Sequence, residues 1–192
     1  EPSNTNSNAD TNLQKAPSSS STLSMPANST VEYARLYWQG RITGDTWSNT
    51  ERDSAKAIQF RKVGAASYSS LTADVFDEST TTSSGDIQVY SASVDVTNIV
   101  KTGGSSAYEV NPATFTTTVG DTSDGLGSYG AWTLVVVYST TGVTQIRNVT
   151  IFDGYQKVVS GSNVSFSVSG FLTPSGGDVK AEVYVFAGEG DK

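Results

Sequence analysis

The amino-acid sequence predicts an all-β protein: an antiparallel, jelly-roll-like β-sandwich of about ten strands with an extended N-terminal arm. The first reason is periodicity. From Val31 onward the apolar residues recur almost wholly with period two, and no amphipathic helix pattern stands out. The second reason is that turns containing glycine, such as Gly103-Gly104 and Ser160-Gly161, separate many of the apolar runs. Short strands joined by such turns are typical of two packed sheets.

Ten segments follow the strand pattern. Residues 134–138 are apolar on both faces and are predicted to lie at the centre of a sheet. Residues 56–63 carry three basic side chains and are predicted to form an edge, where positive charge blocks unwanted pairing. Residues 94–100 predict a strand end that turns into a short helical piece. The ten segments are 31–38, 56–63, 69–76, 86–96, 107–110, 114–119, 132–138, 145–152, 163–171 and 178–187.

The pattern divides the chain into an arm, residues 1–30, and a β-sandwich domain, residues 31–192. The arm consists mostly of Ser, Thr and Asn and holds three of the five prolines. Its large apolar residues are Leu13, Leu23 and Met25. Because so little apolar surface cannot offset the entropy of ordering, the arm alone is expected to be disordered. It is therefore either a passive linker or a segment that orders by docking on another surface.

The spacing of the apolar residues makes a donor strand one of the two alternatives for the arm. Leu13, Leu23 and Met25 have the same parity, so they face one side of an extended strand. Residues 13–25 would span roughly 40 Å at about 3.3 Å per residue. Such a strand can add to the open sheet of a neighbouring copy, and head-to-tail addition yields a fibre because it does not close. The alternative is a flexible linker with incidental apolar residues.

Composition excludes several classes of site and partner. The formal net charge is −7 and the acidic residues are scattered, which argues against nucleic acid as a partner. The chain contains neither cysteine nor histidine, so it offers no disulfide, no thiolate ligand, no Cys nucleophile and no imidazole base. No stretch approaches 18 apolar residues, so no membrane span is predicted. Carboxylate pairs are the remaining catalytic option, and no spacing pairs Asp153 with Glu182. An enzyme is therefore not expected.

The same composition favours a secreted protein at the cell surface. Charged residues make up only 16% of the chain, and it holds one methionine and no cysteine. The sequence begins at Glu1 without an initiator methionine, which is expected of a processed mature protein.

Several stretches between residues 31 and 191 follow a recognisable order. They are 34–40 (ARLYWQG), 95–100 (DVTNIV) with Gly103-Gly104, 129–138 (YGAWTLVVVY), 147–155 (RNVTIFDGY), Gly170-Phe171, Pro174 and 188–191 (GEGD). In these stretches the chain resembles a family of secreted prokaryotic surface modules found in large adhesin-like proteins. The resemblance implies a β-sandwich at a cell surface with a role in adhesion or surface architecture. It also implies further sheet beyond the Glu-Gly-Asp segment, so a chain ending at Lys192 is expected to leave an open groove.

Three kinds of additional site are candidates. The sequons at Asn28, Asn148 and Asn163 are glycosylation acceptors, although sequons also arise by chance in a chain so rich in Ser, Thr and Asn. Trp47 lies on a polar loop, where an indole stacks on a sugar ring or simply packs the loop. Asp121 and Asp124 lie in a glycine-rich stretch with the hard oxygen ligands that Ca²⁺ prefers, although Asp-Gly is also ordinary turn chemistry.

Two functions follow as hypotheses. The first is an extracellular structural subunit that forms a filament or surface layer with copies of itself, its arm completing the sheet of the next copy. The second is a monomeric adhesin that binds cell-surface glycans, peptides or other surface proteins and carries a flexible linker.

Overall fold

A computed structural model describes residues 19–42, 48–79, 88–111, 130–142, 149–156, 161, 163–165, 167, 169–170 and 176. Within these residues the chain forms eight strands and two short helices. In chain order they are β1 (Ser19–Leu23), β2 (Ser29–Ile42), α1 (Asn49–Lys56), β3 (Ala57–Lys62), β4 (Ser69–Thr72), β5 (Val75–Glu78), β6 (Gln88–Asp95), α2 (Thr97–Gly103), β7 (Ser106–Val110) and β8 (Gly130–Thr140).

The strands form two four-stranded antiparallel sheets that face each other across one core. The strand order is β1-β7-β3-β4 in the first sheet and β5-β6-β2-β8 in the second. The largest fully buried side chains are aromatic: Trp38 and Tyr90 from the second sheet, and Phe60 and Tyr108 from the first. The predicted all-β sandwich is thus confirmed.

The strand count and several strand positions differ from the prediction. The described residues hold eight strands rather than about ten. Residues 69–76 form two strands in different sheets, because the chain crosses between the sheets at Ala73 and Asp74. The predicted strands 114–119 and 178–187 lie outside the described residues, and residues 149–152 are described without strand structure.

The expected edge position of β3 was wrong, and the central position expected for β8 is not seen among the described strands. β3 lies inside its sheet, between β7 and β4, and its Arg61 is neutralised by Glu109 on β7 rather than guarding an edge. β8 lies at the end of the described sheet order although it is apolar on both faces. Side-chain burial and backbone pairing are separate properties, so charge or apolarity alone does not locate an edge.

One of the two helices was predicted from the sequence and the other was not. The helical turn expected after residue 94 is present as α2. Helix α1 was not predicted, because its eight residues are almost all polar. It is nucleated by a capping box: the Glu51 N–H donates to Ser48 Oγ at 3.2 Å, and the Ser48 N–H donates to the Glu51 carboxylate at 2.7 Å. The Ser48 backbone and hydroxyl bonds lower the pKa of Glu51.

Candidate assembly site

The end of the arm forms β1, which pairs with β7 of its own chain. The register runs antiparallel from Ser19 opposite Val110 to Leu23 opposite Ser106. β1 is the outermost strand of its sheet in the described residues, and four of its five residues are exposed. Residues 19–30, which the sequence assigns to a separate arm, are therefore part of the sandwich in this structure.

Hydrogen bonds to side chains tie down both ends of β1. Beyond its last residue, the Met25 N–H donates to Ser105 Oγ at 3.0 Å, and the same hydroxyl lies 3.5 Å from the Met25 carbonyl oxygen. At the other end, the Trp132 indole N–H on β8 donates to Ser19 Oγ at 3.0 Å. β1 thus contacts the second sheet as well as β7.

The apolar arm residues contribute a modest contact with the core. Leu23 and Met25 are both partly buried and pack against the core cluster. Leu13, the third residue of the predicted set, lies outside the described residues. The groove that Leu23 and Met25 enter is thus the one beside β7.

A short exposed connection joins β1 to β2. Ser24, Pro26, Ala27 and Asn28 are all exposed. The Ser29 N–H donates to the Pro26 carbonyl at 3.3 Å, and Asn28 adopts a left-handed conformation with φ of 61°. Asparagine tolerates this conformation better than most residues. This hinge, residues 24–28, adds little apolar contact beyond Met25.

A polar cluster around Arg35 lies on the outer face of the sheet that contains β2. No pattern in the sequence predicted it. The guanidinium of Arg35 is buried, forms an ion pair with Asp74, donates to Ser93 Oγ at 3.1 Å and lies 3.7 Å from Asp153. Burial alone would lower the pKa of Arg35, but hydrogen bonding and charge from Asp74 outweigh it and raise that pKa. The Arg35 guanidinium is therefore paired with carboxylates and is not a free cation.

Beside this cluster is a small depression of about 100 Å³. The Tyr37 hydroxyl donates to Asp153 at 3.2 Å at its rim, and Asp77 also lines it. Burial and then the charge of Asp153 raise the pKa of Tyr37 to about 12. The depression presents hydroxyl and carboxylate groups, so it suits hydrogen bonding to a small polar group.

The remaining predicted sites are scattered. Asn28 lies exposed on the hinge, and Asn163 is also exposed. Trp47, Asp121, Asp124, Asn148 and Glu182 lie outside the described residues. Within the described part of the chain, no helix has the length and apolarity needed to cross a membrane.

Comparison with protein-family models, with curated proteins and with solved structures found no significant match to the chain. The resemblance to secreted surface modules therefore remains a prediction from sequence.

Proposed function

We propose that this protein is an extracellular structural subunit that assembles into a filament or surface layer by lending its N-terminal strand to the next copy. The observation that carries the proposal is the placement of β1. It is a short, mostly exposed strand, outermost among the described strands of its sheet, that lies in a groove beside β7 and is joined to β2 by the exposed hinge. The groove accepts an identical strand from a neighbour with the same hydrogen bonds.

Exchange of this kind has a low thermodynamic cost. Each β1 that leaves its own β7 is replaced by the β1 of another copy, so the ladder is conserved and the balance depends on concentration and hinge conformation. The left-handed Asn28 is one hinge conformation that exchange would release. Head-to-tail exchange joins two different surfaces of the subunit, so it propagates instead of closing into a dimer.

The proposal is tested on the full chain by altering the core-facing arm residues. In the double variant Leu23→Asp with Met25→Asp, two carboxylates would have to enter an apolar groove, so polymers are expected to be lost while the sandwich stays folded. Negative-stain microscopy and light scattering report assembly, and circular dichroism reports folding.

Ala27→Asp is the control, because Ala27 is exposed on the hinge and lies outside β1. It is expected to assemble as the wild-type chain does. If the double variant forms polymers at the wild-type concentration, the arm is not the connecting element and the proposal fails. Removal of residues 1–30 is a second, harsher test with the same expected loss of polymers.

A monomeric surface adhesin is the second candidate, because β1 already satisfies β7 within its own chain. The depression beside Tyr37 would then be a place to look for a small polar ligand. This function requires a monodisperse monomer at every concentration in light scattering, and ligand binding that Tyr37→Phe weakens. It also retains the sequence-based expectation that Trp47→Ala reduces binding.

A further inference from the structure

β1 fills its groove poorly at two positions. Ser19 and Ser21 lie opposite Val110 and Tyr108, which are completely buried, so both serines face the core. Both serines are nevertheless exposed. A hydroxymethyl group is too short to reach across the space that a leucine would fill.

The facing strand shows the same defect. Trp132, Leu134 and Val136 on β8 lie opposite three completely buried residues of β2, so they too face the core. They are only partly buried. Within the described residues, the core-facing side chains of β1 and β8 therefore line a space that they fill only in part, the arm seam, and the Ser19–Trp132 hydrogen bond crosses this space from one sheet to the other.

The connection to β2 opposes a better register of β1 within its own chain. Leu23 would fill the seam better if it lay opposite Tyr108 instead of Ser106. That shift moves the strand by two residues, or roughly 7 Å, away from the start of β2. The hinge, already folded into a turn between Pro26 and Ser29, would have to straighten by the same distance.

We propose that the arm of a second copy binds β7 two residues further along than β1 does in its own chain. This inference rests on the proposed function and specifies its interface. An arm from a neighbour is not tied to this copy's β2, so it is free to take the better register. Leu23 then replaces Ser21 in the seam, and a serine still lies beside Trp132 to accept its hydrogen bond. The new pairs are Ser21 with Val110, Leu23 with Tyr108, and Met25 with Ser106.

A shift by two residues preserves every backbone hydrogen bond. The Met25 N–H points toward β7, so the odd-numbered residues of the arm bond to that strand. The Ala107 carbonyl accepts from the Val63 N–H on β7's other side. The backbone hydrogen-bonding groups of Ala107 therefore point away from the arm. Pro26 has even parity, so its missing N–H falls on the solvent side, where an edge strand tolerates proline.

The register can be read by disulfide trapping, because the chain has no native cysteine. Thr22 lies opposite Ala107 within the chain, in a non-hydrogen-bonded pair whose Cα separation of about 4.5 Å suits a disulfide. In the shifted register, Ser24 of a neighbour takes that place. The two double variants, Thr22→Cys with Ala107→Cys and Ser24→Cys with Ala107→Cys, are assembled under reducing conditions, washed free of monomer and oxidised. They are then separated on denaturing gels with and without reductant.

The Ser24→Cys pair is expected to give a ladder of covalent oligomers that collapses on reduction, at least tenfold stronger than any ladder from the Thr22→Cys pair. A ladder from the Thr22→Cys pair instead would show that the incoming arm keeps the original register, which overturns this inference but leaves the proposed function standing. Polymers that give no ladder with either pair would place the arm elsewhere and also overturn it. Failure of the wild-type chain to polymerise at all would overturn both.

Discussion

The two sheets are connected in different ways at the two sides of the sandwich. On one side, the closed seam, the chain itself passes from β4 to β5 through Ala73 and Asp74, and Asp74 binds the buried Arg35. On the other side, the arm seam, β1 and β8 are the outermost strands among the described residues, and the hydrogen bond from Trp132 to Ser19 joins them. The closed seam links the sheets covalently, whereas the arm seam is closed by β1, the strand that the proposed function exchanges between copies. Opening and exchange are therefore expected at the arm seam.

The largest effect on stability is expected where the arm seam reaches the buried core. Phe60 is completely buried, stacks on Tyr108 at 5.5 Å and meets the edge of Trp132 at 6.4 Å. Phe60→Ala is expected to lower the free energy of unfolding by about 3–5 kcal/mol, because it leaves a cavity between the sheets. Urea unfolding followed by fluorescence measures this. A loss below about 1 kcal/mol would show that this side of the core is not packed as described.

A smaller loss is expected at the closed seam. Asp74→Ala removes the principal partner of the buried Arg35, but the Asp74 side chain is half exposed and Asp153 remains 3.7 Å away. A loss of about 1–2 kcal/mol is expected in urea unfolding. Asp53→Ala, which removes an exposed ion pair with Lys56, is the control and is expected to change stability by no more than about 0.5 kcal/mol. Equal effects from the two variants would contradict the special role of the Arg35 pair.

Filling the arm seam is expected to produce a gain. Ser21→Val places apolar volume in the underfilled space, so the arm should bind its own chain more tightly, by about 0.5–1 kcal/mol. Polymerisation should then slow, because opening of β1 becomes less frequent. Ser20→Val, on the outer face, is the matched control. Faster assembly of the Ser21 variant than of the control would argue that the seam does not limit exchange.

The effect expected from Tyr37 is absent at neutral pH and is confined to alkaline pH. Its pKa rises from 10.0 to about 12 on folding because of burial and the neighbouring charge of Asp153. The folded chain thus holds this proton more tightly, and the associated stability is present below pH 10 and is lost as the pH rises toward 12. Tyr37→Phe is expected to flatten the fall of the melting temperature between these pH values. An unchanged slope would contradict the assigned burial of Tyr37.

Local pattern was enough to predict much of the fold. The alternation of apolar and polar residues located β2, β6, β7 and β8 within a few residues, because every second side chain of a half-buried strand faces the core. Helix α1 was not predicted because its stability comes from the Ser48–Glu51 capping box and not from an apolar stripe. The sequence does contain the S-x-x-E pattern of that box. The positions of β3 and β8 depend on which strand lies next to which, and that is set by contacts distant in sequence.

Local pattern predicted only part of the candidate assembly site. Parity alone placed Leu23 and Met25 on one face of the arm. Their surroundings come from elsewhere in the chain: Ser105 lies 80 residues from Met25, and Trp132 lies 113 residues from Ser19. No local signal identifies such partners, nor the underfilled space that two small serines leave opposite β8.

The central claim is that β1 must leave its own sheet before the protein can assemble. The most direct measurement is negative-stain microscopy of the full chain carrying Thr22→Cys with Ala107→Cys, oxidised as a monomer and then reduced. The disulfide locks β1 onto its own β7, so the oxidised protein is expected to stay monomeric and to form filaments only after reduction. Filaments of the oxidised, fully cross-linked monomer would contradict the claim.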